Sequence, residues 1–128
     1  MIDHLDHLVL TTTDEDACVA FYVGQLGMAL DRFGDGRKAL RFGRQKINIH
    51  VKGREFEPKA HLPVPGALDL CFIADRPLDQ VIAALTDAGI TITEGPVERS
   101  GATGPIRSIY LRDPDLNLIE ISEYLPRS

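Results

Sequence analysis

Several features are missing from this sequence of 128 residues, and each absence excludes a class of protein. No apolar run approaches the roughly 18 residues that a membrane-spanning helix needs, so no membrane partner is predicted. The N terminus has no basic segment followed by a hydrophobic one, which argues against a secretory signal and predicts a cytoplasmic location. Cys18 and Cys71 are far apart and lie among apolar residues, so reduced thiols are expected rather than a disulfide framework.

A surplus of positive charge is also absent. The chain has 14 Lys and Arg against 19 Asp and Glu, a net charge of −5, and it has no tryptophan. No basic stripe with interleaved aromatic residues is present, so no nucleic-acid partner is predicted. The apolar fraction of 44% is ordinary for a globular protein, and the length predicts a single domain over residues 1–128.

What the chain does have is an internal repeat. The segment L-D-H-L-V-L carries His7 between apolar residues, and the later segment A-L-D-L-C-F-I carries Asp69 in the matching place. Gly27 lies 20 residues after His7, and Gly89 lies 20 residues after Asp69. A repeat of this length indicates two copies of one supersecondary unit, neither of which buries a core alone.

Each copy ends on an alternating strand that bears one potential metal ligand. The two strands are I-N-I-H-V, which contains His50, and L-I-E-I-S, which contains Glu120. Two imidazoles and one carboxylate bind Fe(II), Mn, Ni or Zn in many enzymes, and the predicted metal ligands are therefore His7, His50 and Glu120, with Asp69 left open as a fourth ligand. Taken singly, a core histidine and a solvent-facing glutamate are simpler interpretations, but the matching positions in the repeat favour one shared metal site.

The first unit, residues 4–51, is predicted to form one strand, one helix and three further strands. Thr13 and Asp14 are among the residues that can cap a helix N terminus, and Gly27 is typical of a helix stop. The residues from Gly34 to Gly36 predict a turn. The predicted elements are a strand over 5–11, a helix over 14–26 and strands over 28–33, 38–42 and 45–51.

The second unit, residues 67–124, follows a segment rich in proline and glycine, residues 52–66, which predicts a linker because proline removes backbone donors. Apolar residues at helical spacing from Leu78 to Leu85 predict an amphipathic helix that begins at Pro77 and ends near Gly89. The other predicted elements are a strand over 67–74, a short strand over 90–93, a loop over 94–105 and strands over 107–112 and 116–124.

Several motifs resemble one known superfamily. In the first unit they are H-L-V-L at His7, A-F-Y-V-G-Q-L-G-M around Tyr22, and F-G-R-Q-K-I-N-I-H ending at His50. In the second they are E-G-P-V at Glu94 and G-P-I-R-S-I-Y-L-R-D-P-D-L-N-L-I-E ending at Glu120. Over nearly its whole length the chain resembles the vicinal oxygen chelate superfamily, also called the glyoxalase/bleomycin-resistance/dioxygenase fold. The stretch F-E-P-K-A-H-L-P-V-P-G-A-L-D-L-C is similar to a narrower branch, the small glyoxalase-domain-containing and virulence-protein-like members.

The resemblance implies an α+β fold in which two βαβββ units form a curled mixed sheet. It also implies a divalent metal, with Zn, Ni, Mn and Fe all open, a small-molecule substrate and a homodimer. The expected activity is that of a metal-dependent, glyoxalase-like lyase or isomerase, in which the metal chelates two neighbouring substrate oxygens. Asp69 and Glu120 are the expected catalytic residues, and Asp69 or His50 would move the proton.

The sequence departs from the family pattern in ways that leave other functions open. The small dimeric glyoxalase I has a glutamate, usually its proton-shuttling base, at the place taken here by His50, and Leu116 stands where the family usually has glycine. Extradiol dioxygenases and fosfomycin-resistance members also use two His and one Glu. An Fe(II) dioxygenase, a fosfomycin-resistance-like transferase and a non-catalytic drug-binding dimer are therefore the alternatives.

Three side chains are predicted to contact substrate. Arg107 and Tyr110 lie on the strand before Glu120 and are three residues apart, so at most one of them faces the cavity, and Tyr110 is favoured. Arg99 lies within residues 94–105, a glycine-containing segment interpreted as a loop that closes over the cavity. A plain hairpin connection is the alternative interpretation of that segment.

Overall fold

The computed structural model describes residues 1–126 and contains two βαβββ units, as the sequence predicts. Unit 1 comprises Met1–Leu68 with Pro114–Leu116, and unit 2 comprises Asp69–Asp113 with the residues from Asn117 onward. Within the described part of the chain, no helix has the length and apolar character needed to cross a membrane. The single-domain boundaries remain a prediction, and the last two residues of the predicted domain 1–128 lie outside the described residues.

Unit 1 contains one helical segment and four strands. The side chain of Asp14 caps the helix by accepting a hydrogen bond from the Ala17 N–H over 3.1 Å. The predicted helix is present, but its second half widens into a π-helical turn, where the Leu26 N–H donates to the Phe21 carbonyl. The elements are β1 (His7–Thr12), α1 (Glu15–Val19), the π-helical turn (Ala20–Gln25), β2 (Ala29–Phe33), β3 (Arg37–Phe42) and β4 (Gln45–Val51).

The sheet of unit 1 has the strand order β1-β4-β3-β2, with β1 parallel to β4 and the other pairs antiparallel. The first and last strands of the unit are therefore neighbours. Alternate residues of these strands, among them Leu10, Leu40 and Ile47, are fully buried, as is Tyr22 of the helical turn. We call this side of each sheet the helix face and the opposite side the helix-free face.

Unit 2 repeats this arrangement with the strand order β5-β8-β7-β6, in which β5 is parallel to β8. Its helix face is apolar, because Ile109, Leu111 and Ile119 are fully buried together with Leu78 and Leu85 of the helix. The elements are β5 (Asp69–Ile73), α2 (Leu78–Asp87), β6 (Glu94–Ser100), β7 (Pro105–Arg112) and β8 (Leu118–Tyr124).

One predicted boundary in unit 2 is wrong. The short strand predicted over 90–93 is absent, and most of the predicted loop over 94–105 is strand β6, which pairs antiparallel with β7. The pairing has a β-bulge between Glu94 and Val97, and Pro96 lies in that bulge, where a missing N–H is tolerated. Because this segment is hydrogen-bonded into a sheet, the interpretation of residues 94–105 as a closing loop loses its basis.

Candidate functional site

The helix-free face of unit 2 carries the predicted acidic residues. Asp69 of β5 pairs with Leu118 of β8, so Glu120 lies two positions further along the neighbouring strand and on the same face. Tyr110 of β7 pairs directly with Glu120. Strand alternation therefore places Asp69, Glu120 and Tyr110 on one surface, which is where the sequence predicts Tyr110.

These three residues line a polar cavity of about 530 Å³ on that face. This volume falls within the range of roughly 300–1,000 Å³ that is typical of small-molecule sites. Its polar lining combines carboxylates, guanidinium groups and hydroxyls, so it can bind an oxygen-rich group. The lining residues are Asp69, Thr93, Glu94, Arg99, Tyr110, Arg112, Leu118 and Glu120.

Arg99 reaches this cavity from β6 and is held by three partners. Its Nε donates to the Tyr110 hydroxyl over 3.2 Å, its Nη2 to a Glu94 carboxylate oxygen over 3.0 Å, and its Nη1 to the Glu98 carbonyl over 3.1 Å. The hydrogen bond to Tyr110 is the main reason why the pKa of Arg99 is raised. Since each guanidinium nitrogen has a partner, the group is oriented before any ligand arrives.

Besides Glu94, which binds Arg99, two carboxylates line the cavity, and they differ in the groups that hold them. The Ser122 hydroxyl donates to Glu120 Oε2 over 3.4 Å and is itself 2.6 Å from the buried Ser108 hydroxyl. The side chain of Asp69 has no hydrogen bond or ion pair with another residue in the described range 1–126. Nearby, partial desolvation raises the pKa of the Cys71 thiol. Asp69 and Glu120 are thus the carboxylates of this face that can take a ligand or a proton.

Arg107 lies on the opposite side of the sheet. Its guanidinium contacts Asp79 of α2 over 3.0 Å and Glu123 over 3.4 Å, both on the helix face. These contacts raise the pKa of Arg107. Arg107 therefore lines neither cavity of unit 2 described here, whereas Arg99 and Tyr110 line both.

A second cavity of about 390 Å³ adjoins the polar one on the same face. The two cavities share Arg99, Tyr110 and Glu120. Much of the remaining lining is apolar. The lining residues of this second cavity are Cys71, Ile73, Arg99, Ser100, Gly101, Ala102, Ile106, Tyr110, Glu120 and Tyr124.

The helix-free face of unit 1 carries the predicted histidines. His7 is half exposed, and its Nδ1 lies 2.8 Å from a carboxylate oxygen of Asp6. His50 is only 4% exposed, and its ring packs edge-on against Phe56 at 5.7 Å. Burial, and then the nearby charge of Arg37, lowers the pKa of His50, so its imidazole is held in the neutral form that binds metals or accepts protons.

Strand register changes the equivalence between the two units. His7 pairs with Lys46, so the residue two positions further along β4 is Asn48, just as Glu120 lies two positions beyond the partner of Asp69. The predicted equivalence of His50 with Glu120 is therefore wrong by two residues, and Glu120 corresponds to Asn48. Along the strands, His50 is about 13 Å from the level of His7, and Asn48 about 7 Å. Alternation along I-N-I-H could have identified Asn48, because it puts Asn48 and His50 on one face.

The donor set fits a divalent metal chemically. The Asn48 Oδ1 and His50 Nδ1 atoms are buried and have no hydrogen-bond partner in the described part of the chain, and unpaired buried polar atoms are costly unless something binds them. Imidazole, amide and carboxylate donors together suit Mn, Fe, Ni or Zn. Among residues 1–126 of one chain, no three His, Cys, Asp or Glu side chains are grouped closely enough to hold an ion.

Comparisons with known proteins agree with the motifs and the fold. A family model described as "Glyoxalase/Bleomycin resistance protein/Dioxygenase superfamily" matches residues 4–121. Virulence protein STM3117 of Salmonella typhimurium is 56% identical over 125 residues, which cover 98% of this chain and 87% of that protein. Its crystal structure has a TM-score of 0.96 to this chain and covers 98% of it and 99% of the crystallised chain. Glyoxalase domain-containing protein RDO1 of Mycosarcoma maydis is 57% identical over 120 residues, covering 94% of this chain and 68% of that protein.

A more distant structure shares the fold alone. Lactoylglutathione lyase from Agrobacterium tumefaciens is 22% identical, with a TM-score of 0.74 over 96% of this chain and 95% of that chain. Members of the superfamily bind small molecules, commonly dimerise and commonly use divalent metals. Two βαβββ units, their strand order and a family match over residues 4–121 lead to one conclusion. This chain belongs to the glyoxalase/bleomycin resistance protein/dioxygenase superfamily.

Proposed function

We propose that this protein is a divalent-metal-dependent enzyme of the glyoxalase-like lyase or isomerase kind, acting on a small substrate with two neighbouring oxygens. The observation that carries the proposal is the polar cavity of unit 2, where the carboxylates of Asp69 and Glu120 share one lining with the guanidinium groups of Arg99 and Arg112. Acids and cations around one cavity can bind a polarised carbonyl and move a proton beside it.

The proposed metal ligands are Glu120 and the two imidazoles of His7 and His50, on the chemistry of the donor set. Asn48 joins them as an alternative to His50, because its position matches that of Glu120 in the other unit. When bound, a divalent ion supplies Lewis-acid polarisation of two neighbouring substrate oxygens. Ser122 steadies the Glu120 carboxylate through its 3.4 Å hydrogen bond.

Asp69 is the proposed base. Its side chain has no hydrogen-bond or ion-pair partner within residues 1–126, and it lies on the same face as Glu120. Its carboxylate oxygen can remove a proton from the carbon that bears the substrate hydroxyl and return it to the adjacent carbon, while the hydroxyl proton passes to the neighbouring carbonyl oxygen. This transfer interconverts a hydroxyketone and its hydroxyaldehyde isomer without any other reactant.

Arg99 and Tyr110 orient the substrate in this proposal. Tyr110 and Glu94 hold the guanidinium of Arg99 from two sides, and its remaining N–H groups can donate to a substrate oxygen and hold it in place. A donor that is already oriented loses little conformational freedom when the substrate binds. Arg112 adds a second positive charge to the same lining.

The test is proton exchange at carbon, followed by NMR in deuterated water with hydroxyacetone as probe. Protein loaded with Zn, Ni, Mn or Fe(II) is compared with chelator-treated protein. We expect metal-dependent exchange in the native protein, strongly reduced exchange in Glu120→Gln, and unchanged exchange in Glu98→Gln, which alters an exposed carboxylate of unit 2 outside both cavities. Hydroxyacetone binding with no metal-dependent exchange would instead indicate a binding protein.

The proposal includes a homodimer and a cytoplasmic location. The edge strand β1 carries the exposed apolar side chain of Val9, at 41%, and an exposed edge of this kind favours association. Sedimentation at micromolar concentration should give a mass of twice 14.1 kDa. A monomer under those conditions would contradict the assembly without affecting the exchange test.

A further inference from the structure

The two cavities of unit 2 have opposite chemical character although they share a boundary. Arg99, Tyr110 and Glu120 line both. On one side of this boundary lie charged residues, including Asp69 and Arg112. On the other side the lining is apolar in large part, so a single molecule that spans the boundary would need one polar end and one apolar end.

Apolar side chains from separate strands converge on the second cavity. Ile73 comes from β5, Ile106 from β7 and Tyr124 from β8, and Ala102 comes from the turn between β6 and β7. Ile73 is 51% exposed and Tyr124 is 39% exposed. Apolar surface left in contact with water gains free energy when an apolar group covers it, and here that surface is continuous with the polar cavity.

The turn that contributes Gly101 and Ala102 to the lining of this cavity is held by hydrogen bonds. The Gly101 N–H donates to the Gly104 carbonyl over 2.8 Å, and the Thr103 N–H donates to the Tyr124 hydroxyl over 3.3 Å. A Cβ atom at position 101 would lie only 2.8 Å from Ile106 Cγ2, so the backbone of the turn packs directly against the apolar lining. This part of the lining is therefore held in place.

We propose that this second cavity binds a compact apolar substituent on the carbon next to the reacting oxygens of the substrate. The inference rests on the proposed function, because it takes the oxygen-bearing group to bind in the polar cavity. The substrate class is a 2-hydroxyketone, or its hydroxyaldehyde isomer, that carries a phenyl-sized or branched aliphatic group. Tyr110 and Arg99 lie between the two groups, at the boundary shared by both cavities.

The size of the cavity favours a compact group over a long chain. Its volume of about 390 Å³ includes space shared with the boundary residues, and the turn at residues 101–104 that lines it is held by hydrogen bonds. Burial of one aromatic side chain contributes about 1.5–3 kcal/mol. A phenyl group in this cavity should therefore tighten binding about ten- to hundredfold relative to a methyl group.

The test compares two probes with the same oxygen-bearing group, hydroxyacetone and 2-hydroxyacetophenone. Dissociation constants are measured by calorimetry on the metal-loaded, full-length protein. We expect 2-hydroxyacetophenone to bind about ten- to hundredfold more tightly. The ratio of the two dissociation constants measures the contribution of the apolar cavity to binding. The dissociation constant of hydroxyacetone measures binding to the polar cavity.

A graded pair of variants locates the effect. Ile73→Ser and Ile73→Asp place increasing polarity on a half-exposed edge-strand position, which should not prevent folding. The ratio should fall severalfold in Ile73→Ser and approach one in Ile73→Asp, while hydroxyacetone affinity changes less than about twofold. The matched controls are Val64→Ser and Val64→Asp, at an exposed apolar position that lines neither cavity, and they should leave the ratio unchanged.

The outcomes separate the two proposals. A ratio near one in the native protein, no detectable binding of either probe, or an equal effect of the Val64 variants would overturn the apolar subsite. A high ratio that Ile73→Asp abolishes supports it, even if no proton exchange is found. In that case the subsite stands as part of a binding protein, and only the enzymatic proposal fails.

Discussion

Units 1 and 2 share one backbone plan but differ in the chemistry of their helix-free faces. In both sheets the first strand of the unit is paired parallel to the last. In both, the last strand carries a residue with a metal-binding side chain two positions after the partner of the first strand's first residue. In unit 2 that face forms a polar cavity whose lining includes the carboxylates of Asp69 and Glu120. In unit 1 the corresponding positions hold His7 and Asn48, and Asn48 is buried. A repeated fold therefore repeats positions, while the side chains at those positions decide the function.

The charges of the two faces show the same contrast. On the helix-free face of unit 1, Lys46 Nζ lies 3.9 Å from the centre of the Phe33 ring, and the Arg37 guanidinium lies 4.6 Å from that of Phe56. Cations stacked on aromatic rings are held in place and contribute roughly 0.5–1 kcal/mol each at exposed sites. In unit 2 the cation at the equivalent surface, Arg99, is bound to the Glu94 carboxylate and borders the cavity. The cations of unit 1 are thus held against aromatic rings, whereas unit 2 places one cation, Arg99, in the lining of the polar cavity.

The largest effect that tests this contrast is expected for the proposed base. Asp69→Asn should lower the turnover of proton exchange by about 10²–10⁴-fold, since an amide cannot accept the proton. The measurement is metal-dependent exchange of hydroxyacetone by NMR. Asp87→Asn, at the exposed end of α2, is the control and should leave turnover unchanged. Full activity in Asp69→Asn would remove the base role and with it the functional difference between the units.

Metal affinity sharpens the comparison of register. His7→Ala and Glu120→Ala should each weaken metal binding, and the comparison of Asn48→Ala with His50→Ala decides which residue of β4 is a ligand. Strand register gives Asn48 in unit 1 the same position as Glu120 in unit 2. We therefore expect Asn48→Ala to weaken metal binding by about 10–100-fold, the loss that is typical when a group supporting a metal site is removed. Competition with a chromophoric chelator measures this. A greater loss of metal affinity in His50→Ala would instead identify His50, which the motifs predict, as the ligand on β4.

Substrate affinity tests the two faces of unit 2. Arg99→Lys removes the planar fork that Tyr110 and Glu94 orient, so KM for the exchange reaction should rise about tenfold with little change in kcat. Arg107→Lys is the matched control, because Arg107 pairs with Asp79 on the helix face. We expect no change in KM there, and a rise equal to that of Arg99→Lys would show that the predicted substrate role of Arg107 is correct.

The smallest expected effect concerns the buried histidine of unit 1. Burial lowers the pKa of His50 below the ordinary value for histidine of about 6.5. Between the lowered pKa and about 6.5 the unfolded chain binds more protons than the folded one, so stability rises with pH. The metal-free protein should lose stability as pH falls from about 6.5 through the lowered pKa. Melting temperatures measured with chelator should show this loss, and His50→Gln should flatten it. His61→Gln, an exposed position, should not, and an unchanged slope in His50→Gln would exclude His50 as the cause.

Much of the fold could be predicted because its signals are local. The turn residues Gly34 and Gly36 both have positive φ, at 55° and 73°, and the apolar spacing after Pro77 corresponds to α2. The strand Glu94–Ser100 could not be predicted, because its composition is that of a loop and its strand state comes from hydrogen bonds to β7. Alternation along I-N-I-H puts Asn48 and His50 on one face, but it cannot decide which of them matches Glu120, since spacing in sequence does not give register between strands.

The sequence by itself determined the repeat, the βαβββ order and the family, because each depends on periodicity, turn residues and motifs that are read along the chain. It also determined which side chains have metal-binding or proton-transfer chemistry, among them His7, Asp69 and Glu120. Only the tertiary structure decided that Asn48 matches Glu120, that Arg107 lies on the helix face, and that an apolar cavity adjoins the polar one. The physical reason is that strand pairing brings together residues distant in sequence, and a shift of pairing partners changes which side chains meet.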